Sequence, residues 1–262
     1  MRILFTGDVV GKPGRKLLAA ELPRLRSEHR IDFTIVNAEN ASGGAGLTPA
    51  NARELLDLGV DALTLGNHAW DKRDLLGAID EFPSLLRPIN YPSGTPGRGS
   101  MVCKSKGGVP VGVINAMGRV FSPVHLDCPF RITEEAVEEL RAKTAVIIVD
   151  FHAEATSEKV SMGWFLDGKV SAVIGTHTHV QTADASVLPG GTAFITDVGM
   201  TGPWVSSLGV SPQQAIDRFL TQLPTRFEVA DGPSQYNGCV LDIDEATGCA
   251  CSIAPIYFRE PL

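Results

Sequence analysis

The chain has 262 residues, 44% of them apolar and 20% charged, which excludes a disordered chain and allows a substantial core without disulfide staples. Its 23 basic residues against 30 acidic ones give a formal charge of -7, which argues against gripping duplex nucleic acid and leaves any small phosphorylated ligand to local cations such as metal ions. Five cysteines without a Cys-x-x-Cys do not form a disulfide framework, no apolar run reaches membrane-spanning length, and the opening apolar run breaks at Asp8, so a cytoplasmic location with no membrane partner is expected.

Ile3 to Phe5 is a buried-strand signal ending at Gly7-Asp8. Gly7 to Lys12 is one residue short of a phosphate-binding loop, and Pro13 stands where that loop needs Ser or Thr, so that reading is rejected. Lys16 to His29 has helical periodicity through Leu17, Leu18, Leu22 and Leu25. Phe33 to Val36 is a second strand, ending at Asn37-Ala38-Glu39-Asn40. The glycine-rich stretch from Ser42 to Gly46 reads equally as a flap over a site or as a flexible turn. Thr48-Pro49 has the form of an N-cap followed by proline at the first helical position. Val60 to Leu65 is a third strand, ending at Gly66-Asn67-His68.

The middle of the chain changes pattern. Ser100 to Ser105 and Val109 to Asn115 flank Lys106-Gly107-Gly108, a hairpin signal. Thr133 to Lys143 is helical and opens with Thr133-Glu134-Glu135-Ala136. Three further strands are expected: Ala145 to Val149 ending at Asp150-Phe151-His152, Val170 to Ile174 ending at Gly175-Thr176-His177-Thr178-His179, and Ala193 to Thr196 ending at Asp197-Val198-Gly199. Cys239 to Ile243 and Cys251 to Phe258 form a last hairpin, with Cys249 and Cys251 expected to be small buried residues. The strand–helix rhythm predicts parallel strands with crossover helices. With the hairpins, it predicts one α/β domain over residues 1–262, two mixed sheets packed together and flanked by helices.

Side chains that bind metals recur at the ends of these strands: Asp8, Glu39 and Asn40, Asn67 and His68, His152, then His177 and His179. The ligand site of an α/β protein lies at the carboxyl ends of its strands. Singly, each residue has an ordinary explanation as a turn, a cap or a structural histidine. Together they predict a metal site. The mixed oxygen and nitrogen donors suit a first-row transition metal better than Mg or Ca. They are too many for one tetrahedral ion and right for two, and ions about 3.5–4 Å apart can clamp an in-line displacement at phosphorus. A carboxylate such as Glu39 would bridge them, and a bridging hydroxide would be the nucleophile. His68 follows Asn67 directly, so it is free to protonate the leaving oxygen, or only to position substrate. His29 and His125 read as surface residues and Trp70 as a packed aromatic rather than a base-stacking one, while Pro203-Trp204 leaves the same two readings open. The His177-x-His179 pair comes too late in the chain for an amidohydrolase barrel.

The ordered set Gly7-Asp8, Glu39-Asn40, Gly66-Asn67-His68, His152 and Gly175 to His179 resembles the calcineurin-like metallophosphoesterases, and within them the bacterial YmdB-type branch. The resemblance covers almost the whole chain, including Gly7 to Gly11, Asp150 to Glu154 and Asp197 to Pro203. It implies a four-layer αββα sandwich with a dinuclear site. One ion would be held by Asp8, Asn40 and His179, and the other by Asn67, His152 and His177, with Glu39 bridging and His68 as proton donor. It further implies phosphodiester hydrolysis, including 2′,3′-cyclic nucleotides, with iron or manganese, zinc being a further option. Two departures from the broad superfamily match the branch: Val10 stands where most members have His, and Glu39 replaces the usual bridging Asp. Two alternatives remain at this point: a phosphomonoesterase, which the ligands do not distinguish, and a nucleotide-sensing regulator acting through a partner. The intact acid–base set argues against the second. A homo-oligomer is compatible with the sequence.

Overall fold

In a computed structural model that describes residues 1–122 and 124–262, two mixed sheets lie face to face between helical layers. The chain begins with β1 (Arg2–Thr6), β2 (Asp8–Val9), α1 (Gly11–His29), β3 (Phe33–Asn37), α2 (Pro49–Asp57), β4 (Ala62–Thr64), α3 (Arg73–Leu76) and β5 (Leu85–Leu86). It continues with β6 (Ser100–Lys104), β7 (Pro110–Met117), α4 (Pro129–Arg141), β8 (Val146–His152), α5 (Thr156–Phe165), β9 (Ala172–Thr176), β10 (Ser186–Val187) and β11 (Ala193–Ile195). It ends with β12 (Met200–Pro203), α6 (Pro212–Thr221), β13 (Ser234–Ile243) and β14 (Ala250–Arg259). One sheet has the order β2-β12-β13-β1-β3-β4-β5 with β14 on β13, and the other β10-β11-β9-β8-β7-β6. The expected parallel units are β1-β3-β4-β5 and β7-β8-β9-β11, and the expected hairpins are β6-β7 and β13-β14.

Strand alternation sorts the apolar side chains into three cores. Leu4 packs with Leu18, Leu22 and Leu25 of α1, while its neighbours Ile3 and Phe5 pack between the sheets against Val113, Ile148 and Ile174. On β8, Ile148 faces the other sheet, whereas Ile147 and Val149 pack with Val137 and Leu140 of α4 and Met162 of α5. Both faces of each central strand are therefore covered, which is why these strands read as unbroken apolar runs. The layers are helix, sheet, sheet, helix. Each such side chain contributes about 1.5–3 kcal/mol when fully buried. Buried polar atoms without partners cost about 1–3 kcal/mol each, so the core can carry the few present among the described residues.

Several boundaries differ from the sequence reading. Helix α1 starts at Gly11 rather than Lys16, with Pro13 in the first turn, where its missing N–H costs no helical bond. Helix α4 starts at Pro129, not Thr133. Proline takes the first turn, and Thr133 is buried within the helix. Helix α5 was not expected: its Gly163 lies against Phe194, where a Cβ would come within 2.5 Å of the ring. Helix α6, also unexpected, carries an apolar stripe of Ala215, Ile216, Phe219 and Leu220, of which only Ala215 is buried. Thr48 caps α2 as expected, accepting from the Asn51 N–H. Cys249 and Cys251 are exposed, contrary to expectation, because Cys249 lies in the turn before β14 and β14 pairs on one side only. His125 is exposed, and His29 is half-buried at the end of α1. Among the described residues no helix is long and apolar enough to cross a membrane.

Candidate metal centre

The polar strand ends converge at one rim of the sandwich. Glu39, His152 and His177 each place one donor atom within 4.8 Å of the others, and so do Asp8, Glu39 and His179. Glu39 is common to both sets. Asn67 Oδ1 lies 2.9 Å from His152 Nε2, so Asn67 joins the first set. Asn40 lines the same cleft as Glu39 and His179. The backbone N–H of His68 donates to Glu39 Oε2 at 3.3 Å, which places the residue beside the carboxylate without its imidazole entering either set.

Neighbouring groups fix which nitrogen each histidine presents. Thr176 spends its hydroxyl hydrogen on Asp150 Oδ1 at 2.7 Å, so it accepts from His152 Nδ1 at 2.9 Å. Asp150 is in turn held by the Asn37 amide and the Thr64 hydroxyl. His152 Nε2 then faces Asn67 Oδ1 at 2.9 Å, Glu39 Oε1 at 3.1 Å and His177 Nδ1 at 3.0 Å. His177 Nε2 meets Glu154 Oε2 at 2.9 Å, leaving Nδ1 to the site. His179 Nδ1 donates to the Leu208 carbonyl at 2.9 Å, leaving Nε2 bare. This is how metal-ligating imidazoles are oriented in general.

Four observations show that these residues fit cations. A single proton on His152 Nε2 can serve only one of its three neighbours, whereas a cation among them serves all. Asp8 Oδ1 and Asn40 Oδ1 are buried with no hydrogen-bond partner. The Asn40 amide nitrogen is tied to the Gly44 carbonyl at 3.0 Å, so the glycine-rich turn aims the free oxygen. At Gly66 a Cβ would fall 2.2 Å from Glu39 Oε2 and 2.4 Å from His152 Nε2, so only glycine leaves room there.

Sequence reasoning missed the supporting groups. Asp71 Oδ2 lies 2.8 Å from His68 Nδ1, and the His-x-x-Asp spacing across a tight turn was the available signal. Asp150 and Glu154 flank His152 in the segment Asp150 to Glu154, but nothing in the sequence says which histidine each one touches. The Leu208 carbonyl carries no sequence signal at all. Trp70 is half-buried and packs edge-on against Tyr91, and Trp204 donates to the Glu260 carbonyl beneath Arg259.

Burial pushes Asp8 up to about 6, against the pull of His179 and His152. Burial would also raise Glu39, but His152 beside it holds the carboxyl down at about 2. Burial disfavours charge on His152, yet Glu39 outweighs it and raises the ring to about 9. Burial and the neighbouring His152 push His177 down to about 4. In the metal-free protein a proton on His152 thus takes the place of a cation. Its pKa lies above neutrality, so that proton must leave when an ion takes Nε2, and affinity rises with pH until it levels near pH 9. Below about pH 6 a proton on Asp8 competes as well and steepens the loss. Titrating Mn(II) into metal-free protein in buffers of different ionisation enthalpy should show at least one proton released per chain near neutral pH. A pH-independent affinity would contradict these protonation states.

A cleft of about 480 Å³ joins Glu39, His68, His177 and His179 at one end to Leu208, Phe219 and Phe227 at the other. Two carboxylate–histidine sets sharing one glutamate, at the strand ends of an αββα sandwich, define a metallophosphoesterase. The chain belongs to the YmdB-like protein family, whose model matches residues 4–256, and that family implies a divalent-metal site. It is 50% identical over 260 residues to a 2′,3′-cyclic-nucleotide 2′-phosphodiesterase of Bacillus subtilis (strain 168), covering 99% of this chain and 98% of that one. A crystal structure of a hypothetical protein from Thermus thermophilus superimposes with a TM-score of 0.92 at 42% identity, over the full length of both chains. A phosphatase from Mycoplasma pneumoniae does so with a TM-score of 0.92 at 35% identity, over 99% of this chain and 93% of that one.

Proposed function

We propose that the protein is a dinuclear metal-dependent phosphodiesterase acting on small phosphodiesters, 2′,3′-cyclic nucleotides foremost. The observation that carries this reading is the sharing of Glu39 by two donor sets, with His68 beside them and outside both. Asp8, Asn40 and His179 would hold one ion, and Asn67, His152 and His177 the other, with Glu39 between. Iron and manganese suit this mixture of imidazole, carboxylate and amide oxygen, and zinc is compatible with it. When bound, the ions supply Lewis acidity toward the phosphoryl group and activate water.

The chain's own groups do the rest. Asp71 holds His68 through Nδ1, leaving Nε2 as the nitrogen that can give a proton to the departing sugar oxygen as its bond to phosphorus breaks. The cleft is charged at one end and apolar at the other, which matches the phosphate and the base of a nucleotide. The identity to the B. subtilis phosphodiesterase supports the same substrate class.

Steady-state kinetics test this reading. A 2′,3′-cyclic nucleotide should be hydrolysed with a KM lower than that of ethylene phosphate, a cyclic diester without a base. About 1–3 kcal/mol per stacked base corresponds to roughly 5- to 150-fold. Phosphate monoesters should turn over more slowly than either. Faster turnover of monoesters, or none of any cyclic diester, would contradict the proposal.

A further inference from the structure

Helix α5 carries Lys159, which is 1% exposed, and the segment after β11 carries Asp197, fully buried. Lys159 Nζ donates to Asp197 Oδ2 at 2.8 Å and to the Thr176 carbonyl at 3.2 Å. The same Oδ2 accepts from the Thr178 backbone N–H at 2.9 Å and from its hydroxyl at 2.7 Å. Oδ1 accepts from the Gly199 N–H at 2.8 Å, and the Gly199 carbonyl accepts from the Asp8 N–H at 3.1 Å. Neither charged group enters the chemistry described above.

Thr178 lies between His177 and His179, whose φ values of 102° and 66° are left-handed and unfavourable for residues with a side chain. That backbone sends one histidine to each donor set. A conformation of this kind persists only where its surroundings over-determine it. Asp197 grips the residue at its centre, and Lys159 ties Asp197 to Thr176 at its start. A buried ion pair is weak evidence for stability, since apolar replacements are often neutral. Its position here gives it another use.

We infer that Lys159 and Asp197 are a positioning pair that holds the His177-Thr178-His179 turn, so that a single buried carboxylate sets the geometry of a ligand for each ion. The inference rests on the dinuclear reading. It extends to Asp8, because Asp197 also fixes Gly199, which receives the Asp8 N–H. Glu154, by contrast, touches His177 alone of the two turn histidines.

The test is calorimetric titration of Mn(II) into metal-free protein, with circular dichroism as the check on folding. Asp197→Asn should weaken both binding events by about 10- to 100-fold, the usual effect of removing a group that orients ligands. Glu154→Gln should weaken only one. Because Asp197→Asn leaves Lys159 alone in the interior, Lys159→Met/Asp197→Asn is the second variant, and it too should weaken both events. Unchanged affinities in a folded Asp197 variant, or weakening of one event only, would overturn the inference. So would failure of both variants to fold, which would assign the pair to the fold alone. If the unaltered protein binds fewer than two Mn(II), the dinuclear reading fails first and takes this one with it.

Discussion

Glu39→Gln is expected to bring bound metal below one ion per chain and to lower phosphodiester turnover by about 10³-fold or more. Glu39 is the one side chain common to both donor sets, and it is buried with its Oε1 3.1 Å from His152 Nε2. Glutamine keeps the shape but removes the negative charge that two adjacent cations need between them. Metal-ion stabilisation of a phosphoryl transition state is worth several kcal/mol, and each 1.36 kcal/mol is tenfold in rate. Metal analysis of the purified variant beside its kcat/KM checks both halves. A variant with two tightly held ions and normal turnover would remove Glu39 from the bridging position.

His68→Gln is expected to keep both ions and still lose about 10²- to 10⁴-fold in kcat on a cyclic nucleotide, the usual contribution of a general acid. Its imidazole belongs to neither donor set and is held by Asp71 at 2.8 Å. The loss should shrink sharply on a nitrophenyl phosphodiester, whose leaving group departs without a proton. Asp71→Asn should show the same selectivity with a smaller loss. If His68→Gln slows both substrates equally with metal content unchanged, His68 positions the phosphate rather than protonating the leaving oxygen.

Much of this site was legible because the chain places it at strand ends, where an apolar run stops abruptly at Asp8, Glu39, Asn67, His152 or His177. Burial on both faces made the strands visible, and the change from apolar to polar marked the rim. What the sequence hides is pairing across the fold. Asp150 lies only two positions from His152, yet it reaches that ring through Thr176 on the neighbouring strand, a contact set by the β8–β9 register. Lys159 and Asp197 are far from the histidine turn in sequence; Lys159 meets it because α5 packs over β9, and Asp197 because β11 pairs in parallel with β9. Surface elements misled for the opposite reason. Helix α6 and strand β14 carry apolar residues that face solvent or lie at an edge, so their patterns do not report burial.

Anomalous diffraction from crystals grown with Mn(II) tests the central assignment most directly. Two peaks about 3.5–4 Å apart should straddle Glu39, one beside His152 and His177 and the other beside Asp8 and His179. A single peak, or density away from Glu39, would contradict it.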